Sequence, residues 1–471
     1  MNRRKFIGLS VAGAGSIGGL YAYNESRQNK KTEHKINTPK ELPIPPLADY
    51  KLVNGKKRFD LTIQKGEKNF LGDLKTETFG VNGDFLGPTI KVNNKDKVEV
   101  NVTNKLDEKT TLHWHGLHIN GKNDGGPHQI ISVNDTWKAK LKIDQRATTA
   151  WYHPHFMDKT GYQVYKGIAG FFFIDDENSK KLPNQYGVDD IPLVIQDRRF
   201  SYNGSFSYIA TMHDKMMGIS GNYIFVNGAM TPVFKPTKDQ IRFRVLNGSN
   251  SRIYMLGFED EREFSLVATD GGFVEKPLPM KKLLLAPGER AEILIKVTEN
   301  EKISFVDYLS KSYLLHINSN NTLVDTKSLP TTISKPFNII PSNNETLREF
   351  NLSMGMGQAL INGKRMNMNR IDEHIPINTS EIWRIKNTDS MMNMPHPFHV
   401  HGCSFEILSR NGRSPYLFEQ GLKDTVLINK GDIVDIRVIF RKKADRDNPY
   451  MYHCHNLEHE DLGMMGQFTV S

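Results

Sequence analysis

A short motif recurs three times along the 471-residue chain and constrains its architecture. Val81-Asn82-Gly83, Val226-Asn227-Gly228 and Ile361-Asn362-Gly363 lie 145 and 135 residues apart. Each copy precedes an alternating, strand-like run; these runs are Lys97–Asn104, Gln240–Asn247 and Glu381–Asn387. Short β-branched segments between Gly, Asn and Pro turns are typical of Greek-key sandwiches. The repeat therefore predicts an all-β protein of three related sandwich units.

Histidines occur in pairs that are separated by one residue. Four such pairs occur among sixteen histidines, whereas chance predicts about half of one pair. The pairs are His113/His115, His153/His155, His399/His401 and His453/His455. Because side chains alternate along a strand, both rings of a pair face the same way. We therefore expect the four pairs to converge on one metal cluster.

The last of these pairs flanks Cys454, one of only two cysteines in the chain. A thiolate, two imidazoles and a weak axial thioether form the ligand set that selects electron-transfer copper. The chain offers this set as His396, Cys454, His459 and Met464. If the histidines on either side of the cysteine bind other metal ions, an electron at the sulfur has a short covalent path to them. Such a connection is typical of a copper oxidase.

These motifs resemble the multicopper oxidases of the bacterial laccase and cuprous-oxidase type. The resemblance covers essentially all of the chain after about residue 45. It rests on His113-Trp114-His115-Gly116, His153-Pro154-His155, the His396–His401 segment and the Cys454–Met464 segment, all in family order. It implies three cupredoxin-like domains, near residues 46–178, 190–322 and 345–471, and a copper-dependent oxidoreductase with dioxygen as acceptor.

Carried over residue by residue, the resemblance implies four copper ions of three kinds. The one type 1 ion would be held by His396, Cys454, His459 and Met464. The one type 2 ion would be held by His113 and His399, and the two type 3 ions by His115, His153, His155, His401, His453 and His455. The cluster would then lie between the first and last domains. The middle domain has none of these ligands, so we expect it to act as a spacer.

Two acidic residues match positions that relay protons in similar enzymes. They are Glu460, beside ligand His459, and Asp124, in a Gly-rich turn. Reduction of dioxygen to water consumes protons, which makes such groups useful. A solvated surface carboxylate and an ordinary turn residue are the structural alternatives. The second cysteine, Cys403, is expected to be a buried and inert thiol.

The electron donor stays open between Cu(I) and a small phenol or aromatic amine. Thioethers are soft and suit Cu(I), and similar cuprous oxidases take the substrate ion at a Met/Asp site near the type 1 copper. Asp424 resembles the acidic part of that site, and Met354 or Met356 resembles its sulfur. Methionine is more often core filler, and only a short Met-Gly-Met-Gly segment stands where dedicated cuprous oxidases have a long insertion.

The N-terminal 45 residues predict export. Asn2-Arg3-Arg4-Lys5-Phe6 reads as a twin-arginine signal, and an uncharged Gly/Ala-rich stretch follows it. A basic start on a plain hydrophobic anchor is the alternative. No convincing Ala-x-Ala cleavage site is visible, which leaves a retained membrane tether open. We expect an extracytoplasmic protein (periplasm, cell envelope or secreted), with residues 24–45 as a disordered linker.

The net charge of +9 does not point to a nucleic-acid partner. About +6 of it falls within residues 1–40, so the body of the chain is only weakly basic. The expected partners are dioxygen and either Cu(I) or a small aromatic reductant, with the protein as a monomer. The resemblance further implies a role in copper detoxification.

Three other classes deserve comparison. A copper-free cupredoxin scaffold, like the division-associated relatives, has no need of a complete ligand set. A copper-sequestering protein would bind the metal without turnover. A nitrite reductase pairs two single-copper sites and has no use for eight paired histidines.

Overall fold

The computed structural model describes residues 40–209, 211–326, 328–355, 357–389 and 394–471. Within these ranges the chain forms six sheets, which make up three consecutive β-sandwiches. The all-β prediction is therefore confirmed. Residues 1–39 of the predicted export segment lie outside the described residues. The end of the predicted disordered linker is part of the fold, because Leu42 is buried in the core of the second sandwich and its N–H donates to the carbonyl of Val233.

The first sandwich contains nine strands. They are β1 Tyr50–Val53, β2 Lys56–Leu71, β3 Leu74–Val81, β4 Ile90–Asn93, β5 Lys97–Asn104, β6 His113–His115, β7 Thr136–Lys142, β8 Thr148–His153 and β9 Gly170–Asp175. One sheet has the order β1-β2-β5-β7, with β3 beside β2, and the other has the order β4-β9-β8-β6.

The second sandwich contains eleven strands. They are β10 Asp190–Arg198, β11 Tyr223–Val226, β12 Val233–Phe234, β13 Gln240–Asn247, β14 Tyr254–Phe258, β15 Phe264–Thr269, β16 Gly272–Met280, β17 Lys282–Leu285, β18 Arg290–Lys296, β19 Lys302–Asp307 and β20 Ser312–Asn318. The sheet orders are β11-β10-β13-β18-β15-β16 and β12-β20-β19-β14-β17.

The third sandwich repeats the second one strand for strand in sheet order. Its strands are β21 Thr346–Gly355, β22 Gln358–Ile361, β23 Glu373–Ile375, β24 Ser380–Asn387, β25 His396–Val400, β26 Phe405–Arg410, β27 Leu422–Lys423, β28 Thr425–Ile428, β29 Ile433–Ile439, β30 Tyr450–Cys454 and β31 Met465–Val470. The orders are β22-β21-β24-β29-β26-β27 and β23-β31-β30-β25-β28.

Helices in the described part of the chain are short. The α-helices are Thr160–Lys166, Met212–Met217 and Leu457–Asp461, and the 3-10 helices are Gly121–Asn123, Ser179–Lys181 and Leu417–Glu419. None of the described helices has the length and apolar character needed to span a bilayer.

The repeated asparagine has the same structural role in all three sandwiches. Asn82, Asn227 and Asn362 each adopt a left-handed backbone with φ of 52–53°, which asparagine tolerates better than most residues. Each asparagine side chain then hydrogen-bonds to the first long strand of its own sandwich. It accepts from one backbone N–H and donates to one backbone carbonyl. The partner residues are Thr62 and Asp60, Val194 and Pro192, and Asn351 and Glu349. The repeat thus marks a shared corner of the fold.

The middle sandwich packs its charged face against the first sandwich. Strand β5 alternates between buried and half-buried residues, whereas almost every residue of β13 is buried. On β13, Arg244 reaches Asp190 at 2.6 Å and Asp175 of the first sandwich at 3.4 Å. The middle sandwich is therefore enclosed by protein on both faces of its main sheet.

Candidate metal centre

Strand pairing brings the histidine pairs together. His113 lies opposite His153 in the β6–β8 ladder, and His399 lies opposite His453 in the β25–β30 ladder. Rings from the first and third sandwiches then interleave. The His113 and His401 rings stack with centroids 3.8 Å apart, and those of His115 and His399 at 3.7 Å. All eight paired histidines are buried at this interface.

Three of these rings form a triad of nitrogens. The Nε2 atom of His453 lies 3.3 Å from Nε2 of His155 and 3.2 Å from Nε2 of His401. The opposite nitrogens face carboxylates: Glu460 lies 3.3 Å from Nδ1 of His155 and 3.2 Å from Nδ1 of His453. Nδ1 of His401 lies 2.7 Å from Asp124. With hydrogens on the Nδ1 atoms, three lone pairs face one another, and this arrangement is stable only around a cation.

The remaining rings each present a nitrogen that has no protein partner. Nδ1 of His113, His153 and His399 contacts a backbone carbonyl at 2.8–2.9 Å, and Nε2 of His115 lies 3.0 Å from Asp424. The free atoms are Nε2 of His113, His153 and His399, Nδ1 of His115, and both ring nitrogens of His455. Leaving buried polar atoms unsatisfied costs free energy. The set therefore fits bound metal ions.

The electrostatics of the cluster also favour metal binding. Burial lowers the pKa of His155 and of His455 to about 3, and it lowers those of His115, His153, His399 and His401 well below the usual 6.5. Neutral imidazole is the form that binds metal. Burial would raise the pKa of Glu460, but contacts with His155 and His453 outweigh it and lower that pKa to about 2. Neutral rings and an ionised carboxylate suit a cationic centre.

A second metal site is assembled around Cys454 in the third sandwich. Its Sγ atom lies 3.6 Å from Nδ1 of His396 and 3.6 Å from Nδ1 of His459. The Cys454 N–H donates to the carbonyl of Met464, whose own N–H donates to the carbonyl of His459. Burial raises the pKa of the Cys454 thiol, so a thiolate here needs a bound cation. All four residues are buried.

The two proton-relay candidates contact the histidine cluster. Glu460 and Asp124 are each 1% exposed, which rules out the reading of Glu460 as a solvated surface carboxylate. Each contacts a cluster histidine through its side chain. Cys403 is a free, buried thiol whose pKa is raised well above its usual value by burial, as expected for an inert residue.

The assignment of Asp424 to a substrate site near Cys454 was wrong. Asp424 is fully buried, pairs with Arg290 at 2.6 Å and contacts His115 at 3.0 Å, so it belongs to the histidine cluster. Of the proposed sulfur donors, Met354 is buried in the hydrophobic core of the third sandwich. Met356 lies outside the described residues.

The expected spacer role of the middle domain also needs correction. The carbonyl of Met216, in the Met212–Met217 helix, lies 3.0 Å from Nε2 of His459. Arg290, from the same sandwich, pairs with Asp424. Sequence reasoning missed these residues because they are not metal ligands and lie over 100 positions from their contacts. The sequence offered one signal for the first of these contacts, the three methionines of the Met212–Met217 helix.

Comparison with known proteins agrees with this geometry. Three sequence models described as multicopper oxidase match residues 62–179, 186–327 and 332–471. The chain belongs to the multicopper oxidase family. A multicopper oxidase of Staphylococcus haemolyticus is 38% identical over 92% of both chains. A laccase structure from Pediococcus acidilactici is 34% identical, with a TM-score of 0.88 over 93% of this chain and 95% of the other.

The family also contains a relative of another kind. Cell division protein FtsP of Escherichia coli is 34% identical over 91% of this chain and 92% of its own length. Sequence similarity alone therefore does not separate an oxidase from a protein with a role in division. For this chain the family assignment implies a cupredoxin-like fold, copper as cofactor, and dioxygen and reducing substrates as partners.

Proposed function

We propose that this protein is an oxidase that takes single electrons at the Cys454 site and reduces dioxygen to water at the interdomain histidine cluster. The observation that carries this proposal is the triad of Nε2 atoms of His155, His401 and His453, held by carboxylates on their far sides. A scaffold without metal would gain nothing from burying three mutually facing lone pairs.

The residues divide into four ligand sets under this proposal. One set is His396, Cys454, His459 and Met464, and the second is His113 and His399. The third is His115, His153 and His455, whose ring centroids lie 5.0–5.6 Å apart. The fourth is His155, His401 and His453. Copper bound in these sets would supply one-electron redox chemistry at the sulfur and four-electron reduction of dioxygen in the cluster. We propose four ions in total.

The chain itself connects the two sites. Cys454 is covalently joined to His453 and His455, which belong to two different ligand sets. Its carbonyl oxygen also lies 3.2 Å from Nδ1 of His453, which adds a second contact along the same path. An electron at the sulfur would therefore have a covalent path to the cluster through His453 and another through His455.

Protons would be delivered by the carboxylates that hold the rings. Glu460 contacts both His155 and His453, and Asp124 contacts His401. Both carboxylates are buried against rings of the cluster, and a carboxyl group so placed can transfer protons. Their first role is to keep hydrogens on Nδ1 and lone pairs on Nε2.

Cu(I) is the donor that we favour. His459 is buried beneath the Met212–Met217 helix, so a bulky aromatic donor would not touch it directly. That helix instead offers thioethers: Met212 is 63% exposed, and Met216 is half-buried above the Cys454 site. Thioether sulfur suits Cu(I). A role in copper detoxification follows from this donor.

The donor assignment predicts a selective effect of removing the sulfurs. The double variant Met212→Leu/Met216→Leu should reduce oxygen uptake with Cu(I) by about tenfold, because leucine keeps the apolar volume and removes the soft ligand. Uptake with a phenol should change less than about twofold. The matched control is Met230→Leu, a half-buried methionine elsewhere in the middle sandwich. Equal Cu(I) uptake in all three proteins would reject the assignment.

Phenols remain the second candidate because of a cleft beside the Thr160–Lys166 helix. This cleft has a volume of about 470 Å³ and is lined by Tyr162, Phe206 and Tyr208, with lysines at its rim. The Tyr208 hydroxyl donates to Glu458 at 3.1 Å, and Glu458 precedes ligand His459. A Tyr208→Phe variant should lower phenol uptake alone if this cleft receives the donor.

Location and assembly are also part of the proposal. On the N-terminal motif, we propose twin-arginine export to an extracytoplasmic location, with the protein acting as a monomer. The motif itself lies outside the described residues. Fractionation of cells that express the parent and an Arg3→Lys/Arg4→Lys variant would test the export route.

A further inference from the structure

The middle sandwich contributes no metal ligand, yet two of its residues meet the histidine cluster. Arg290 opens strand β18 and is fully buried. Its two terminal nitrogens pair with Asp424 at 2.7 and 2.6 Å. Because Asp424 Oδ1 lies 3.0 Å from Nε2 of His115, the arginine acts on the ring through one carboxylate. The backbone carbonyl of Asp424 also holds Nδ1 of His399 at 2.8 Å.

Arg290 touches all three sandwiches at this point. Its Nε donates to the carbonyl of Thr149 in β8 of the first sandwich at 2.9 Å. Its other contacts are the carbonyls of Asp270 and Gly288 in its own sandwich, at 3.2 and 3.0 Å. Asp424 belongs to the third sandwich. The planar guanidinium therefore has a partner on every side, which a lysine ammonium cannot reproduce.

A second contact from the same loop is steric. Gly288 has a φ of 83°, and a methyl group built on it would lie 2.8–2.9 Å from the ring of His455. The backbone of the middle sandwich thus closes directly onto a cluster histidine whose two ring nitrogens have no protein partner. Glycine is needed here for close approach as well as for its backbone conformation.

The two contacts fall on the same ligand set. Arg290 acts on His115 and Gly288 acts on His455, and together with His153 these rings form the third set defined above. His153 lies on β8, the strand whose Thr149 carbonyl accepts from Arg290 Nε. Within the described part of the chain, the hydrogen-bond and ion-pair partners of His155, His401 and His453 belong to the first and third sandwiches.

We propose that the middle domain completes one of the type 3 copper sites, with Arg290 and Gly288 as the positioning residues for His115 and His455. Docking of the middle domain then becomes a condition for loading this copper ion. The middle sandwich also meets the Cys454 set, through the Met216 carbonyl at Nε2 of His459. This inference rests on the proposed copper function.

The test uses the full-length, copper-loaded protein and two pairs of variants. Arg290→Lys keeps the charge and removes the planar fork. Its control is Arg242→Lys, an equally buried arginine of the same sandwich that pairs with Glu292 instead. Gly288→Ala adds the methyl against His455. Its control is Gly431→Ala, which has a similar φ of 77° and open space around the added methyl.

The readouts are copper content per chain, the visible absorption of the Cys454 site and the paramagnetic resonance spectrum. Arg290→Lys and Gly288→Ala should keep the blue band at full intensity. Each variant should either lose about one copper ion per chain or show an uncoupled type 3 pair in the resonance spectrum. Its oxygen uptake should fall about 10- to 100-fold. Both controls should match the parent. If Arg290→Lys is insoluble, the comparison of Gly288→Ala with Gly431→Ala decides the question.

Two results would overturn the inference in distinguishable ways. Parent-like copper content and spectra in Arg290→Lys and Gly288→Ala would refute the role of the middle domain and leave the oxidase intact. A parent protein that binds no copper would refute the proposed function itself. Equal damage in a variant and its control would also refute the inference, since it would show a purely structural effect.

Discussion

A Cys454→Ser variant should lose oxygen uptake with every donor, by roughly three orders of magnitude, while the interdomain cluster keeps its copper. The hydroxyl of serine is a hard and weak ligand, so the site loses both its thiolate and its affinity for electron-transfer copper. The histidine cluster does not use this sulfur as a ligand. The blue absorption should therefore vanish, and about three copper ions per chain should remain.

The control for this experiment is the other cysteine. Cys403 is also buried and lies in the same core, but it belongs to none of the clusters of potential metal ligands among the described residues. Cys403→Ser should keep the blue band and most of the turnover. Oxygen uptake at the parental rate in Cys454→Ser would contradict the electron path described here.

A Glu460→Gln variant should have the second-largest effect. The carboxylate contacts Nδ1 of both His155 and His453, and these contacts lower its pKa. Glutamine keeps the shape and offers only one acceptor oxygen, so one ring loses its partner. We expect turnover to fall about 100-fold, through poorer ligand orientation and slower proton delivery.

The measurement is oxygen uptake across pH, together with copper content. A lower rate with full copper content would assign Glu460 mainly to proton delivery, and a loss of copper would assign it to holding the rings. The matched control is Glu381→Gln, a carboxylate of the third sandwich that is also 1% exposed and contacts no cluster histidine. Parental turnover in Glu460→Gln at all pH values would contradict both roles.

The convergence of the paired histidines was predictable because strand periodicity acts locally. A pair such as His113 and His115 must point to one side of an extended strand, whatever the rest of the chain does. The ligands around Cys454 were predictable for a similar reason, because a single loop and helix, residues 454–464, bring three of them together. The repeated asparagines likewise marked a local corner of each sandwich.

Contacts between domains were not predictable in this way. Arg290 and Met216 reach the two sites only because the middle sandwich docks on its neighbours, and the chain carries no local pattern for docking. Asp424 was misplaced because it was assigned by its resemblance to the acidic part of a substrate site. It directly precedes the buried strand β28, which places it in the interior.

Copper analysis of the purified full-length protein, with a paramagnetic resonance spectrum and an absorption spectrum, tests the central claim most directly. The account predicts four copper ions per chain, a blue band at about 600 nm and the separate resonance signals of type 1 and type 2 copper. Far fewer than four ions after copper loading, with no blue band and no paramagnetic signal, would contradict it.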